Sequence, residues 1–261
     1  MAAAHIAPAS CGAFDEPPPA SFLNRRTFGT NASRSAPTLE GVLDLLLPQR
    51  CLGCRADGAQ LCEACVTGLP RIRPPLCARC GAPTAWPVER CRECAGRRLA
   101  FASARAALAY ERVVRALVGG WKDRGLRRLV PLAASLVAEV VPAPRVRVVT
   151  FVPPDGWREL ERGHHPPQQL ARALGALWGL PVEPLLERTR DVAPQRGLPR
   201  TERRRNVAGA FRAVTRAPPR VLLVDDVYTS GATANAAASA LRRGGARRVE
   251  VVTLARAIRD G

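Results

Sequence analysis

Residues 221–233 read Val-Leu-Leu-Val-Asp-Asp-Val-Tyr-Thr-Ser-Gly-Ala-Thr, and this stretch decides the fold. The four apolar residues 221–224 predict a buried strand of a parallel sheet. Asp225 and Asp226 follow at its C-terminal end, which is where open α/β sheets bind their ligands. The Thr-Ser-Gly-Ala-Thr loop then predicts the start of a helix. The stretch therefore predicts a strand–loop–helix unit with a ligand site at its loop.

The loop has the chemistry of a phosphate site. Its hydroxyls, its backbone N–H groups and the N-terminus of the following helix all attract an anion, and Gly231 permits close approach. The predicted phosphate-binding residues are Thr229, Ser230, Gly231, Ala232 and Thr233. Two acids beside a phosphate would repel it, so we expect Asp225 and Asp226 to bind ribose hydroxyls. Neither a Walker A loop nor a G-x-G-x-x-G fingerprint is present in the sequence.

The segments around this stretch alternate between strand and helix patterns. Strands are predicted at 104–110, 146–152 and 249–254, and helices at 113–118, 126–141, 167–178 and 232–243. Residues 188–205 are Arg-rich and broken by Pro and Gly, which is typical of a mobile surface loop. This alternation predicts an α/β domain with a parallel sheet.

Eight of the nine cysteines form four C-x-x-C pairs between residues 51 and 94, and Cys11 stands apart. Each pair presents two thiolates to one metal, so two pairs complete a tetrahedral zinc site. We favour pairing in sequence order over interleaved pairing because it closes shorter loops. The two predicted sites are Cys51, Cys54, Cys62 and Cys65, and Cys77, Cys80, Cys91 and Cys94. With sulfur at every position, both Zn²⁺ ions are expected to be structural; eight unligated cysteines are the alternative.

The rest of the chain indicates compartment and organisation. Because no run of about 18 apolar residues and no secretory signal are found, we expect a cytoplasmic protein without a membrane span. Residues 1–38 mix Pro, Ala, Ser, Gly and Asn, and are expected to be a disordered extension or sequence upstream of the true start. The predicted domains are 39–100, a double zinc-ribbon module, and 101–261, the α/β domain.

The net charge of +18 raises the question of a polyanionic partner. Lys122 is the one lysine among 40 basic residues, and residues 101–261 contribute +14. Charge on this scale favours phosphate esters or nucleic acid. A solvated basic face is the alternative, since the basic region lacks the interleaved aromatic residues of a single-strand stacking platform.

Residues 221–233 resemble the motif with which type I phosphoribosyltransferases bind phosphoribosyl pyrophosphate (PRPP). The wider chain, about 39–257, resembles the ComF family, named for competence for DNA uptake. The matching features follow in one order: the double zinc module, Tyr110, Trp121-Lys122 with Gly125, Val152-Pro153, Arg158, Arg162-Gly163, Gln195, Leu198, Arg203, Asn206-Val207, Phe211 and the PRPP motif. The resemblance implies a type I phosphoribosyltransferase-like parallel sheet with helices on both faces, preceded by a double zinc ribbon.

The resemblance also implies a reaction. Mg²⁺–pyrophosphate would leave C1 of the ribose, and a nitrogen of an unidentified acceptor would replace it. Asp225 and Asp226 would be the catalytic pair, holding ribose hydroxyls and Mg²⁺ waters. The pyrophosphate side would be formed by backbone amides of 152–156 and by charged side chains; the residues are Lys122, Val152, Pro153, Arg158 and Arg162. Residues 188–205 would close as a hood, with a solvated charge run as the alternative, and Tyr228 would neighbour the ribose or serve packing.

The chain departs from the family at Arg162-Gly163-His164-His165-Pro166, where the family usually has Arg-Gly-Phe-Asn-Gln. The amide side chains are lost, and we expect the two histidines to be solvated rather than metal-bound. A second class of function stays open. The chain would then be a non-catalytic PRPP sensor that binds single-stranded DNA or a helicase-like ATPase of the competence machinery. The intact carboxylate pair favours the enzyme.

Overall fold

The computed structural model describes residues 49–154, 163–189 and 209–258. Residues 1–38, the short apolar segment 39–47, Arg158 and Arg162 lie outside these ranges, as do residues 190–205 of the predicted hood. The described elements are α1 (Glu63–Thr67), β1 (Ser103–Ala109), α2 (Arg112–Arg124), a 3-10 helix (Arg127–Leu129), α3 (Val130–Val140), β2 (Val148–Phe151), α4 (Pro166–Trp178), β3 (Leu186–Arg188), β4 (Phe211–Ala213), β5 (Arg220–Tyr228), α5 (Ala232–Arg243) and β6 (Arg248–Arg256).

Four strands form a parallel sheet in the order β1-β6-β5-β2. The central strand β5 pairs with β2 as far as Val224, but with β6 it continues to Tyr228, which lies opposite Arg256. The strand predicted at 221–224 is therefore longer, because β6 itself extends past its predicted end and keeps pairing. Beyond Val224, β5 has lost β2 as a partner, and the two aspartates follow at this step in the sheet.

Alternate residues of β5 enter two separate cores, as the period of a strand requires. Leu222 and Val224 pack with α2, α3 and α4 on one face. Val221 and Leu223 pack with α5, with Leu186 and Phe211 of the β3–β4 pair, and with the second cysteine group on the other face. Helices thus cover both faces of a parallel sheet, which confirms the predicted α/β fold class.

The described residues from 49 to 258 belong to one compact unit. The backbone N–H of Ala104, in β1, donates to the carbonyl of Arg79 in the second cysteine group (3.0 Å). The packing is continuous across residue 100. The division into domains 39–100 and 101–261 therefore stays a prediction from the sequence.

Several element boundaries differ from the predictions. The helix predicted at 113–118 continues to Arg124, where Gly125 ends it in the left-handed conformation. Gly119 and Gly120 weaken the sequence signal for this helix, yet Gly120 lies where Leu52 and Leu126 pack against the helix. The helix predicted at 126–141 is divided into a 3-10 turn and α3, with Pro131 in the first turn of α3. Among the described helices, none is long and apolar enough to cross a membrane.

Candidate functional site

The predicted catalytic pair lies in the last half of β5, where β2 no longer pairs with it. The backbone N–H groups of Asp226 and Val227 donate to the carboxylates of Asp225 (2.9 Å) and Asp226 (2.6 Å), respectively. These bonds orient both side chains. Asp226 is buried, whereas Asp225 keeps part of its surface accessible.

Lys122 joins this pair from the other side. It lies in the last turn of α2, whose apolar face is anchored in the core by Trp121, and its Nζ forms an ion pair with the Asp226 carboxylate. Burial alone would lower the pKa of the Lys122 ammonium, but the charge of Asp226 outweighs it and holds that pKa above its ordinary value. The structure therefore brings together three of the predicted site residues, Lys122, Asp225 and Asp226.

The Lys122 ammonium pairs with Asp226, the second of the two carboxylates, and Asp225 lies beside this ion pair. Burial, followed by the charge of Asp226, raises the pKa of Asp225 to about 7, and Lys122 offsets this only in part. Two carboxylates side by side with one ammonium leave an excess of negative charge. Such a pair is suited to a divalent cation or to hydroxyl donors.

Of the two histidines that depart from the family pattern, His165 is buried and His164 is partly buried, so the expectation of a solvated ring was wrong for His165. His165 is 8% exposed, and its ring meets Phe151 of β2 edge to face, with centroids 5.6 Å apart. Burial lowers the pKa of His165 to about 4, so the ring is neutral at pH 7. Nε2 of His164 lies 2.8 Å from the carbonyl oxygen of Trp121, one residue before Lys122. His165 thus packs against β2, and His164 contacts the last turn of α2.

The predicted phosphate loop begins α5 as expected. Gly231 is the N-cap in the left-handed conformation, with φ +71°. The Ala232 N–H donates to the Ser230 hydroxyl (3.3 Å), and the N–H groups of the next residues belong to the first turn, which has no intrahelical acceptors. A Cβ at Gly231 would overlap the Tyr228 ring and hydroxyl. Glycine is therefore needed for its φ and for packing on Tyr228, as well as for the approach to an anion that the sequence suggested.

The end of β2 supplies less than the sequence suggested. The Val152 N–H donates to the Val224 carbonyl (3.0 Å), and Pro153 and Pro154 have no N–H. Backbone amides for the pyrophosphate can then come only from residues 155–156 of this segment, which lie outside the described residues, like Arg158 and Arg162.

Sequence reasoning missed the position of Arg188 beside this strand end. Arg188 closes β3, and its Nε donates to the Pro153 carbonyl (3.3 Å) while the guanidinium covers the Phe211 ring at 4.9 Å. The sequence offered one indication of this position, since Arg188 is the first residue of the predicted hood. The β3–β4 pair, which the sequence did not reveal, fixes it there.

The eight cysteines form the two groups that sequence order predicted: Cys51, Cys54, Cys62 and Cys65, and Cys77, Cys80, Cys91 and Cys94. The distances between neighbouring sulfur atoms include 3.6 and 3.7 Å in the first group and run from 3.4 to 4.0 Å in the second. A tetrahedral zinc with bonds of about 2.3 Å requires about 3.8 Å between sulfurs. The groups therefore fit one structural zinc ion each.

Backbone donors favour the thiolate form of one cysteine in each group. Burial raises the pKa of the Cys51 thiol, but backbone N–H groups of Cys54, Cys62 and Gly53 outweigh it and bring the pKa to about 6. In the second group, N–H donors including that of Cys91 bring the pKa of Cys77 to about 7 against the effect of burial. N–H groups aimed at sulfur stabilise the ionised ligand that zinc binds.

The fold and these sites define a phosphoribosyltransferase-fold protein with a double zinc ribbon. Residues 42–95 match the family model of the double zinc ribbon domain. The chain is 31% identical over 231 residues to DNA utilization protein YhgH of Salmonella typhimurium, covering 82% of this chain and all of that one. It is 28% identical to competence protein F of Haemophilus influenzae, covering 80% and 97%. The chain therefore belongs to this family, the ComF family.

Among solved structures, the chain is similar to the glutamine PRPP amidotransferase from B. subtilis complexed with ADP and GMP. The two share 25% identity with a TM-score of 0.32, over 49% of this chain and 25% of the amidotransferase. A protein described as TT1426 from Thermus thermophilus is 20% identical with a TM-score of 0.28, over 52% of this chain and 84% of that one.

Proposed function

We propose that this protein is a PRPP-dependent phosphoribosyltransferase. The observation that supports it most is the position of Asp225 and Asp226 at the step where β2 ends, between Lys122 and the start of α5. A site for phosphate alone gains nothing from two adjacent acids, because their charges repel the anion. A site that also binds ribose hydroxyls and stabilises positive charge at C1 gains from both.

In the proposed reaction the bond between C1 and the pyrophosphate oxygen breaks, and pyrophosphate leaves with the electron pair. A nitrogen of the acceptor bonds to C1 and loses its proton. The proposed roles are ribose binding by Asp225 and Asp226, binding of the 5-phosphate by residues 229–233, and charge compensation by Lys122. Positioning and electrostatics then provide most of the acceleration. Mg²⁺, whose preferred ligands are oxygens, would be held with the pyrophosphate beside the two carboxylates and would neutralise the leaving charge.

The experiment pairs binding with turnover. Calorimetry measures PRPP affinity with Mg²⁺, and pyrophosphate release is followed with a panel of nitrogen acceptors and with water alone. The double variant Asp225→Asn/Asp226→Asn should abolish turnover and lower affinity by a smaller factor, because charge stabilisation is larger in the transition state. Glu183→Gln, which removes an exposed carboxylate, is the matched control. Equal rates in the parent and the double variant would exclude these aspartates as catalytic residues.

A basic groove favours a second candidate, a protein that binds PRPP as a signal and nucleic acid as a partner, in keeping with the names of its relatives. A cavity of about 620 Å³ between the second cysteine group and the start of β6 is lined by Arg79, Arg90, Arg105 and Arg248, with Glu89 and Glu250. Burial, then repulsion by Arg90, lowers the pKa of the Arg79 guanidinium. Crowded guanidinium groups of this kind are suited to a phosphate backbone.

Binding of single-stranded DNA tests this candidate. Affinity should fall steeply with salt, and Arg90→Gln/Arg248→Gln should weaken it while Asp225→Asn/Asp226→Asn leaves it intact. Absence of pyrophosphate release from the parent with every acceptor, together with salt-dependent DNA binding, would favour the sensor over the enzyme.

A further inference from the structure

Arg256, the last residue of β6, is a charged side chain in the core. It is 1% exposed. Its Nη1 donates to the Cys80 carbonyl (2.6 Å), and its Nη2 donates to the Glu93 carboxylate (2.8 Å) and lies 3.8 Å from the Cys80 sulfur. A guanidinium is costly to bury unless its charge and donors are paired. The second four-cysteine site supplies both acceptors, the Cys80 carbonyl and the Glu93 carboxylate, so Arg256 depends on this site for its ion pair and its hydrogen bonds.

The same guanidinium also lies over the ring of Tyr228, the residue before the phosphate loop. Its Cζ lies 4.6 Å from the centroid of the Tyr228 ring, and the two residues are neighbours in the β5–β6 ladder. The Tyr228 ring also meets Phe101 edge to face at 6.3 Å. A cation over a desolvated aromatic face is attracted by the ring. This attraction, together with the Phe101 contact, holds the Tyr228 side chain in place.

Tyr228 in turn supports Gly231. A Cβ on Gly231 would overlap the tyrosine hydroxyl, so the loop backbone rests directly on this side chain. The hydroxyl is buried and has no hydrogen-bond partner in the described residues. The Tyr228 side chain therefore limits where the backbone of Gly231, the N-cap of α5, can lie.

The segment after Cys94 reaches the same loop by a separate route. Nη2 of Arg97 donates to the Ser230 carbonyl (2.9 Å), and the N–H of Ala100 donates to the Asn235 side chain in α5 (2.7 Å). The phosphate loop is thus connected to the second cysteine group in two ways: through Arg256 and Tyr228, and through the hydrogen bond of Arg97.

We propose that Arg256 is a positioning residue that links the second four-cysteine site to the phosphate loop through Tyr228. The inference rests on the proposed function, since it takes this loop to bind the 5-phosphate. Folding of the zinc site sets the loop geometry, and loss of the link lowers affinity for the phosphate end of the ligand.

The test compares Arg256→Met with Arg220→Met, which removes an exposed arginine at the start of β5. Hydrogen exchange of residues 228–234 should rise at least tenfold in Arg256→Met and not in Arg220→Met, while exchange in β2 stays unchanged in both. Zinc content should stay at two ions per chain. Affinity for ribose 5-phosphate should fall about tenfold in Arg256→Met.

Arg256→Lys keeps the charge but cannot donate from a planar fork, so it should recover part of the affinity. Glu93→Gln, a milder change, provides a second variant if Arg256→Met does not fold. The proposal is overturned if exchange at 228–234 rises no more than in the rest of the chain, or if folded Arg256→Met binds ribose 5-phosphate like the parent. If the parent binds neither ribose 5-phosphate nor PRPP, the proposed function fails, and the exchange experiment alone decides the link.

Discussion

The two four-cysteine sites have the same ligands and the same C-x-x-C pairs, but they lie in different surroundings. In the first site Cys54 is exposed and only Cys51 is buried. In the second site three of the four cysteines are buried, and they belong to the same core as Leu223 of β5 and Leu241 of α5. The same set of four cysteine ligands thus lies near the surface in the first site and inside the core in the second.

The sites also stand behind different parts of the proposed PRPP site. Leu52 of the first site packs against α2, which bears Lys122. The second site contacts Arg256 and, through Tyr228, the phosphate loop. Consequently the first site supports the carboxylate end and the second supports the phosphate end, and the effects of losing each should differ in size and place.

The largest effect is expected for Cys80→Ser. Cys80 is 2% exposed, and its loss removes a zinc ligand within the core beside Arg256. Because structural zinc is coupled to folding, the free energy of unfolding should fall by more than about 4 kcal/mol. Urea denaturation with metal analysis measures both quantities. A loss of one zinc ion with a cost as small as that of Cys54→Ser would refute the difference between the sites.

Gly231→Ala should produce the next largest effect. The change adds left-handed strain and an overlap with Tyr228, so we expect a loss of roughly 2–4 kcal/mol and of PRPP affinity. Gly179→Ala is the matched control, because Gly179 has φ +64° but no atom within 4 Å of an added Cβ. It should cost only the strain, roughly 1–2 kcal/mol. Equal costs in the two variants would show that contact with Tyr228 contributes nothing.

Cys54→Ser should lower the free energy of unfolding by less, about 1–2 kcal/mol, because Cys54 is an exposed zinc ligand and is surrounded mostly by solvent. The zinc content should still fall from two ions to one. Hydrogen exchange should rise in residues 50–66 and in α2, while residues 228–234 stay protected. A rise at 228–234 as large as that in Cys80→Ser would remove the distinction between the two supporting roles.

The smallest expected effect is a pH dependence of PRPP affinity that arises at the carboxylate end of the site. Burial and Asp226 raise the pKa of Asp225 to about 7, so the free protein binds a proton there below neutrality. A bound cation favours the ionised carboxylate, so Mg²⁺–PRPP affinity should fall by up to about tenfold per pH unit below pH 7 and level off above it.

Asp225→Asn is the control for this profile, since it should remove the slope that belongs to this carboxyl and leave that of the ligand phosphates. Stability of the free protein has the opposite sign. The raised pKa disfavours the ionised folded form, so the contribution of Asp225 is complete below its ordinary pKa of 3.8 and is lost as pH rises through about 7. A profile identical in parent and variant would exclude Asp225 as the titrating group.

Local patterns were sufficient for the sheet and the metal sites. Residues 232–243 form the predicted helix, and the cysteines pair in sequence order, because strand period, helix period and short loop closure are properties of neighbouring residues. Predictions failed where distant segments decide. The histidines at 164 and 165 were expected in solvent, but His165 packs against Phe151 and His164 contacts the Trp121 carbonyl at the end of α2.

By itself, the sequence determined the parallel α/β fold, the strand–loop–helix at 221–233 and the two groups of zinc ligands. Each depends on hydrophobic period, on glycine at a turn or on thiolates a few residues apart. The tertiary structure alone decided that Lys122 pairs with Asp226, that one zinc site is exposed and the other lies in the core, and that Arg256 joins that core to Tyr228. These contacts join residues up to 176 positions apart, and burial and ion pairing over such separations arise only when the chain is packed.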